Sequence, residues 1–322
     1  MNSAEIFSRR AGMTLPGVAA SCDKSIALAI GVFDGVHLGH RKLLNAVAQA
    51  AGRLDAVPVA LTFDPHPRAV LFPSAPPVLL TDLAERVRLL NSCNMQMTAV
   101  VDFTSKFAAV DPVDFLDLLL KQLPRLAVVG VGSSWRFGKN GSGNVELLRK
   151  YAAGHNIELI AVPELELDGD VVSASRIRRL IAGGNLDEAE KLLGYRYCLC
   201  GTVSNGYGIA GSNLNCPTAN IETAAGVLPP DGVYSGIVTV EGKRFGAAVN
   251  IGVAPTYNRS ADLRRRIEAH LLDFSGNLYG KNVRLELGGY LRSEQCFANE
   301  EALKKQIFAD VEKIRSWING KL

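Results

Sequence analysis

Gly31-Val-Phe-Asp-Gly-Val-His-Leu-Gly-His40 decides the reading of the first half of this chain. It continues an apolar run, Ser25–Phe33, that reads as a buried strand, and it leads into an amphipathic segment, Leu38–Ala51, that reads as a helix. Gly35 and Gly39 let the backbone approach an anion closely, and a helix N-terminus offers it unpaired N–H groups. His37 and His40 stand three apart and therefore share a face of the first helical turn. Two imidazoles so placed can hydrogen-bond triphosphate oxygens and stabilise the charge that develops as pyrophosphate leaves. No protein nucleophile is needed when an acceptor phosphate attacks in line.

Working outward, the same alternation continues to about residue 165. The runs Val57–Phe63, Thr98–Phe103, Ala127–Val131 and Ile157–Val162 predict further strands. Between them lie amphipathic segments such as Asp82–Leu90, Pro112–Leu123 and Val145–Ala153, with Thr81 and Asp111 as candidate N-caps and Pro112 in a first helical turn. Apolar strands separated by helices predict an α/β domain, a doubly wound (Rossmann-like) parallel sheet covered on both faces. After residue 195 strands follow one another without crossovers: Tyr197–Val203, Gly232–Val240, Arg244–Ile251, Arg266–Leu272 and Asn282–Leu291, then a helix over Asn299–Ile318. That order predicts an antiparallel β-barrel or sandwich with a terminal helix. A helical stretch, Ser175–Leu193, carries the chain across, and the boundary is placed near 186, giving domains 1–186 and 187–322.

Composition narrows the class. The 322 residues are 48% hydrophobic and 21% charged, as in a soluble globular protein with a full core. A net charge of +3 is too small to point to a nucleic-acid partner and suits a site for anionic small molecules. The cysteines at 22, 93, 198, 200, 216 and 296 form no paired spacing, and Cys198 and Cys200 read as reduced thiols on one face of a strand. No apolar run is long enough to span a membrane, and residues 1–24 lack an apolar signal core, although Arg9 and Arg10 faintly resemble a transit peptide. A cytoplasmic enzyme is expected, with no membrane partner and no indication of an oligomer.

Three further strings sharpen the first half: Thr62-Phe63-Asp64-Pro65-His66-Pro67 after the second strand, Gly132-Ser-Ser-Trp-Arg-Phe-Gly138 after the fourth, and Val172-Ser-Ala-Ser-Arg-Ile-Arg178. Together with residues 31–40 they resemble the adenylyltransferase half of the prokaryotic bifunctional riboflavin kinase/FAD synthetase family. The resemblance implies transfer of AMP from ATP to FMN. It places Gly31, Phe33, Asp34, Gly35, His37, Gly39, His40, Ser173, Ser175 and Arg178 around ATP, with His37, His40 and Arg178 catalytic. Phe63, His66, Pro67 and Ser134 would lie at FMN. Two positions depart from the family: Ser134 stands where Asp is usual, and Ala174 where a second Ser is usual, and each removes a polar contact.

From its residues alone, the second half offers a glycine-rich loop, Gly201–Gly211, able to cover a nucleotide, with Gly208 and Gly211 as candidate ATP contacts. Thr218 and Asn220 alternate on a strand and can present two oxygens to one Mg²⁺, a hard cation. A P-loop is absent. Pro217-Thr-Ala-Asn220, Gly232-Val-Tyr234, Asn250-Ile-Gly252, Pro255-Thr256, Ile267-Glu268-Ala-His270, Leu272-Asp-Phe274, Leu278-Tyr-Gly280 and Leu291-Arg292-x-Glu294-x-x-Phe297 occur in that order and resemble the family's riboflavin kinase module. The resemblance implies that Glu268 is the general base for a ribityl hydroxyl of riboflavin, with Asn250 and Arg292 also at the flavin. Departures cluster at 211–216, where Asn215 and Cys216 replace a glycine and an aromatic, and at Ala254, implying a remodelled ATP lid. The expected whole is ATP-dependent formation of FMN and then FAD, with Mg²⁺ offsetting phosphate charge. Two other readings compete with it. One is a related nucleotidyltransferase acting on another phosphorylated acceptor. The other is a flavin-binding regulatory protein with impaired kinase activity.

Overall fold

The computed structural model describes residues 14–204, 218–253, 265–295 and 300–319. The chain divides into two compact units, one running to Val78 and from Leu83 to Ala174, the other made of Leu79–Asp82 and Ser175–Leu322. The first unit holds α1 (Leu15–Ala20), β1 (Ile26–Ile30), α2 (Leu38–Arg53), β2 (Val57–Phe63), α3 (Pro67–Leu71), α4 (Leu83–Asn91) and β3 (Met97–Val101). It continues with α5 (Ser105–Ala108), α6 (Pro112–Gln122), β4 (Leu126–Gly132), α7 (Val145–Gly154), β5 (Glu158–Val162), β6 (Glu166–Leu167) and β7 (Asp170–Val171). Helix α8 (Ala174–Ala182) starts where the second unit begins.

The sheet runs β3-β2-β1-β4-β5, all parallel, as expected for a doubly wound domain. Every residue of β1 is buried, because helices cover both faces. Strand order reverses between β1 and β4, so the turn after β1 opens at the switch point where such sheets bind ligands. Gly130 on β4 brings α2 close to the sheet, since a Cβ there would stand 2.2 Å from Val47 Cγ2. Asp111 occupies the N-cap of α6 and Pro112 its first position, but the Asp111 side chain makes no capping bond. Helix α4 begins at Leu83, so Asp82 rather than Thr81 precedes it. The small β6–β7 hairpin was not expected; Asp168 and Gly169, both at positive φ (56° and 80°), form its turn.

The second unit continues with α9 (Leu186–Leu193), β8 (Cys198–Ser204), β9 (Thr218–Glu222), β10 (Gly232–Val240), β11 (Lys243–Val253), β12 (Arg265–Leu271), β13 (Asn282–Arg292) and α10 (Glu300–Ile318). The six strands close into a barrel in the order β10-β11-β12-β9-β8-β13, every pairing antiparallel. From α10, Ile314 and Ile318 join Ile237 and Leu272 in one buried cluster. The helical stretch expected over 175–193 consists of two helices. Gly183 and Gly184 end α8, with Gly184 at φ 81° and its N–H donating to Ile181 O. The expected boundary at 186 is the first residue of α9. Cys198 and Cys200 share a face of β8 and are free thiols, as are Cys22 and Cys93. No helix among the described residues is long and apolar enough to cross a membrane.

Two candidate active sites

The turn after β1 is a short 3₁₀ segment, Asp34–Val36, entered through Phe33 at φ 53° and containing Gly35 at φ 75° and Val36 at φ 36°. A β-branched residue at positive φ is strained, and such strain persists only where the surroundings over-determine the backbone. Arg41 Nε donates to Val36 O (3.1 Å) and so holds the turn from within α2. His37 is the N-cap of α2: its Nδ1 accepts from the His40 backbone N–H at 3.4 Å, which leaves the ring proton on Nε2. The two imidazoles stack, centroids 3.6 Å apart at 20°, and Phe33 meets His40 edge-on at 5.3 Å. His40 Nδ1 is buried without a hydrogen-bond partner among the described residues. Burial first, then the His37 ring and the Arg86 charge, hold the His40 pKa well below its ordinary 6.5, so the ring is neutral.

The glycines act differently from expectation in one respect. A Cβ on Gly39 would press on the His37 ring at 3.3 Å, so what Gly39 makes room for in the structure is the histidine stack. It would also stand 3.6 Å from Val172 O, which brings the chain next to Ser173 beside the start of α2. Gly31 is likewise required by Phe33, whose ring would lie 2.8 Å from a Cβ. Ser175 and Arg178 sit three apart on the first turns of α8.

The other expected residues of this unit gather at the same carboxyl edge of the sheet. Phe63 ends β2 and is buried, its ring packed on Phe103 and Phe107. His66 caps α3, with Nδ1 accepting from the Arg68 N–H at 3.1 Å, and Pro67 opens that helix. Ser134 follows β4, and its hydroxyl donates to Glu164 Oε1 at 2.9 Å, just beyond β5. Glu164 thus brings a carboxylate to the turn that carries Ser134. Sequence reading missed Glu164, which no motif marks. It also missed Arg86, a charged residue on the buried face of α4 beside Leu89 and Leu90.

In the barrel, register builds the second site. Asn250 on β11 pairs with Glu268 on β12, Glu268 with Asn220 on β9, and Asn220 with Ser204 on β8, so one row crosses four strands on one face. Thr218 lies opposite His270 in the next row of that face. Asn250 Nδ2 donates to Glu294 Oε1 (2.8 Å), which turns Asn250 Oδ1 the other way, where it is buried without a partner among the described residues. Asn220, Glu268 and Asn250 are oxygen donors, the chemistry a hard cation takes. Arg265 is engaged elsewhere, by Asp231 (2.6 Å) and the Pro229 carbonyl. Arg292 is paired with Asp310 of α10, Nη2 to Oδ2 2.9 Å, where Gln306 also bonds that carboxylate. Gly208, Gly211, the altered loop 211–216 and Ala254 lie outside the described residues.

Comparison with known proteins follows the same two-part division. Residues 19–176 match the family model described as FAD synthetase, and residues 193–318 match riboflavin kinase. The chain is 36% identical over 286 residues to the bifunctional riboflavin kinase/FMN adenylyltransferase of Escherichia coli (strain K12), covering 88% of this chain and 90% of that protein. It is 34% identical to the protein of the same description from Listeria monocytogenes, covering 92% and 93%. A crystal structure titled as a macrolide-efflux protein from Streptococcus pneumoniae superposes with TM-score 0.80 at 28% identity, covering 98% of this chain and 97% of that one. The chain belongs to the bifunctional riboflavin kinase/FMN adenylyltransferase family.

Proposed function

We propose that the chain makes flavin cofactors in two steps, riboflavin to FMN in the barrel and FMN to FAD in the parallel-sheet unit, each at the expense of ATP. The observation that carries the reading is that one chain holds two different arrangements suited to phosphate chemistry: a stacked histidine pair at a helix start, and a carboxylate flanked by amides on a barrel face. Neither competing reading accounts for both. The functional boundary is kept at 186, where α9 begins, which leaves α8, with Ser175 and Arg178, to the first site.

In the barrel, Glu268 takes the proton of the ribityl hydroxyl as its oxygen attacks the γ-phosphorus and ADP leaves. Thr218 and Asn220 would hold Mg²⁺, which supplies charge neutralisation on the transferring phosphates. Asn250 orients the flavin through its buried Oδ1, with Glu294 fixing the amide, and Gly208 and Gly211 cover the nucleotide. In the other unit a phosphate oxygen of FMN attacks the α-phosphorus of ATP and pyrophosphate leaves. His37 and His40 donate to the triphosphate oxygens as charge accumulates on the leaving group, and Arg178, Ser173 and Ser175 hold it. The protein is proposed to work in the cytoplasm. The test is incubation with riboflavin, ATP and Mg²⁺ followed by chromatography: FMN should appear first and FAD after it. FMN binding without ATP consumption would overturn the reading in favour of a regulatory flavin binder.

A further inference from the structure

A fully buried arginine stands at the ligand end of the parallel sheet and has none of the roles given above. Arg86, on α4, is 0% exposed. Its Nη1 donates to Phe63 O at 2.9 Å and approaches Thr62 Oγ1 at 3.3 Å, both at the end of β2. Thr62, also fully buried, donates in turn to Val32 O at 2.8 Å, and the Gly31 N–H donates to Leu61 O at 3.1 Å. One guanidinium therefore anchors a run of hydrogen bonds from α4, through the last residues of β2, to the turn that carries His37 and His40.

Stability alone does not explain this residue. Taking a guanidinium out of water is costly, and apolar replacements of buried charges are often neutral or stabilising. The neighbouring positions on the same face, Leu89 and Leu90, show what the core asks for. What an arginine does and a leucine cannot is grip a carbonyl and a hydroxyl at once in fixed directions. Here those groups set how the chain leaves β2 toward His66 and how far the histidine turn lies from it. The same charge helps to keep His40 neutral.

We propose that Arg86 is a positioning residue for adenylyl transfer, holding the histidine turn and the Phe63–Pro67 segment at the separation at which the phosphates of ATP and FMN meet in line. The proposal rests on the adenylyl-transfer reading. It is tested in the full chain with Arg86→Met, Arg86→Lys and Thr62→Val, measuring kcat and KM for FAD formation from FMN and ATP, FMN formation from riboflavin, and thermal unfolding. Misplacement of reacting groups by about 1 Å costs on the order of 100-fold, so Arg86→Met should lower kcat for FAD formation about that much. KM for ATP should change by less than about 3-fold, since uniform binding is not what is lost. Arg86→Lys should recover most of the rate, and riboflavin phosphorylation should be unchanged throughout. A kcat for Arg86→Met near that of the parent, a rise in KM alone, or a lysine variant no better than methionine would overturn the proposal. If Arg86→Met does not fold, Thr62→Val decides, because within an isosteric side chain it breaks the run at both the Arg86 and the Val32 bonds; an unchanged kcat there is equally fatal. Absence of FAD formation in the parent protein would instead sink the functional reading itself.

Discussion

Replacing His37 by alanine removes a helix cap, half of a ring stack and a phosphate donor together, and their magnitudes separate them. The cap bond is long, 3.4 Å, so its loss is expected at the low end of N-cap values, about 0.5 kcal/mol. Losing the 3.6 Å stack on His40 adds about 0.5–1.5 kcal/mol. Both are small against a fold's total, so the variant should stay folded. A preorganised donor aimed at developing charge is worth far more to the reaction, roughly 10²–10³ in kcat. His37→Asn isolates that part, because asparagine caps a helix as well as any residue but lacks the imidazole. The assay is timed chromatography of FAD formed from supplied FMN, with riboflavin phosphorylation as an internal control and thermal unfolding alongside. Both variants should lose about 10²–10³ in FAD formation, while only alanine shows the full drop in midpoint. An asparagine variant that still forms FAD within about 5-fold of the parent would refute a donor role for His37 and leave it a cap.

Glu268→Gln keeps the shape and removes the base, so riboflavin phosphorylation should fall by about 10²–10⁴ while FAD formation from supplied FMN continues, as chromatography with each substrate would show. Arg292→Ala strands the Asp310 carboxylate, whose side chain is 4% exposed, and urea unfolding should register about 3–5 kcal/mol. Arg292→Met with Asp310→Leu should restore that stability, and a riboflavin KM still raised in the double variant would mark Arg292 as a flavin contact. Because His40 is depressed below 6.5, the unfolded chain takes up a proton that the folded chain refuses, and stability rises with pH through that window. The fall of the unfolding midpoint below about pH 6.5 should therefore be shallower in His40→Phe than in the parent, and equal slopes would contradict a ring held neutral.

Much of this was legible because the relevant signals are local. A strand covered on both faces must be apolar throughout, which is why Ile26–Ile30 and Val57–Phe63 stand out. The histidine spacing and the two glycines are consecutive in one turn. What escaped was long-range. Ser134 and Glu164 lie 30 positions apart, and Arg86 bonds residues 23 and 24 positions before it. Periodicity marks Arg86 only as an odd charge on an apolar stripe, not what it holds. Gly183-Gly184 is a stop signal that the amphipathic pattern on either side runs straight through, which is why the sequence shows a helical stretch without its break. Arg292 matches its motif, but motif matching is blind to the Asp310 carboxylate that already engages it.

The row Asn250, Glu268, Asn220, Ser204 has a consequence for which changes of chain length the barrel can accept. Side chains alternate with a period of two, so inserting or deleting one residue inside β9, β11 or β12 would turn that strand's contribution inward. In β12 it would bring Ile267 or Ala269, both now buried, to the reacting face and put a carboxylate in the barrel core. The segment 223–231 between β9 and β10 has no such alternation to keep, but the Val227 N–H on the Tyr197 hydroxyl (2.6 Å) and the Asp231–Arg265 pair (2.6 Å) tie it down at two points, so added length is accommodated only between them. Single-residue insertions scanned across 218–295 should therefore abolish FMN formation in a pattern that maps strand pairing and spares the turns.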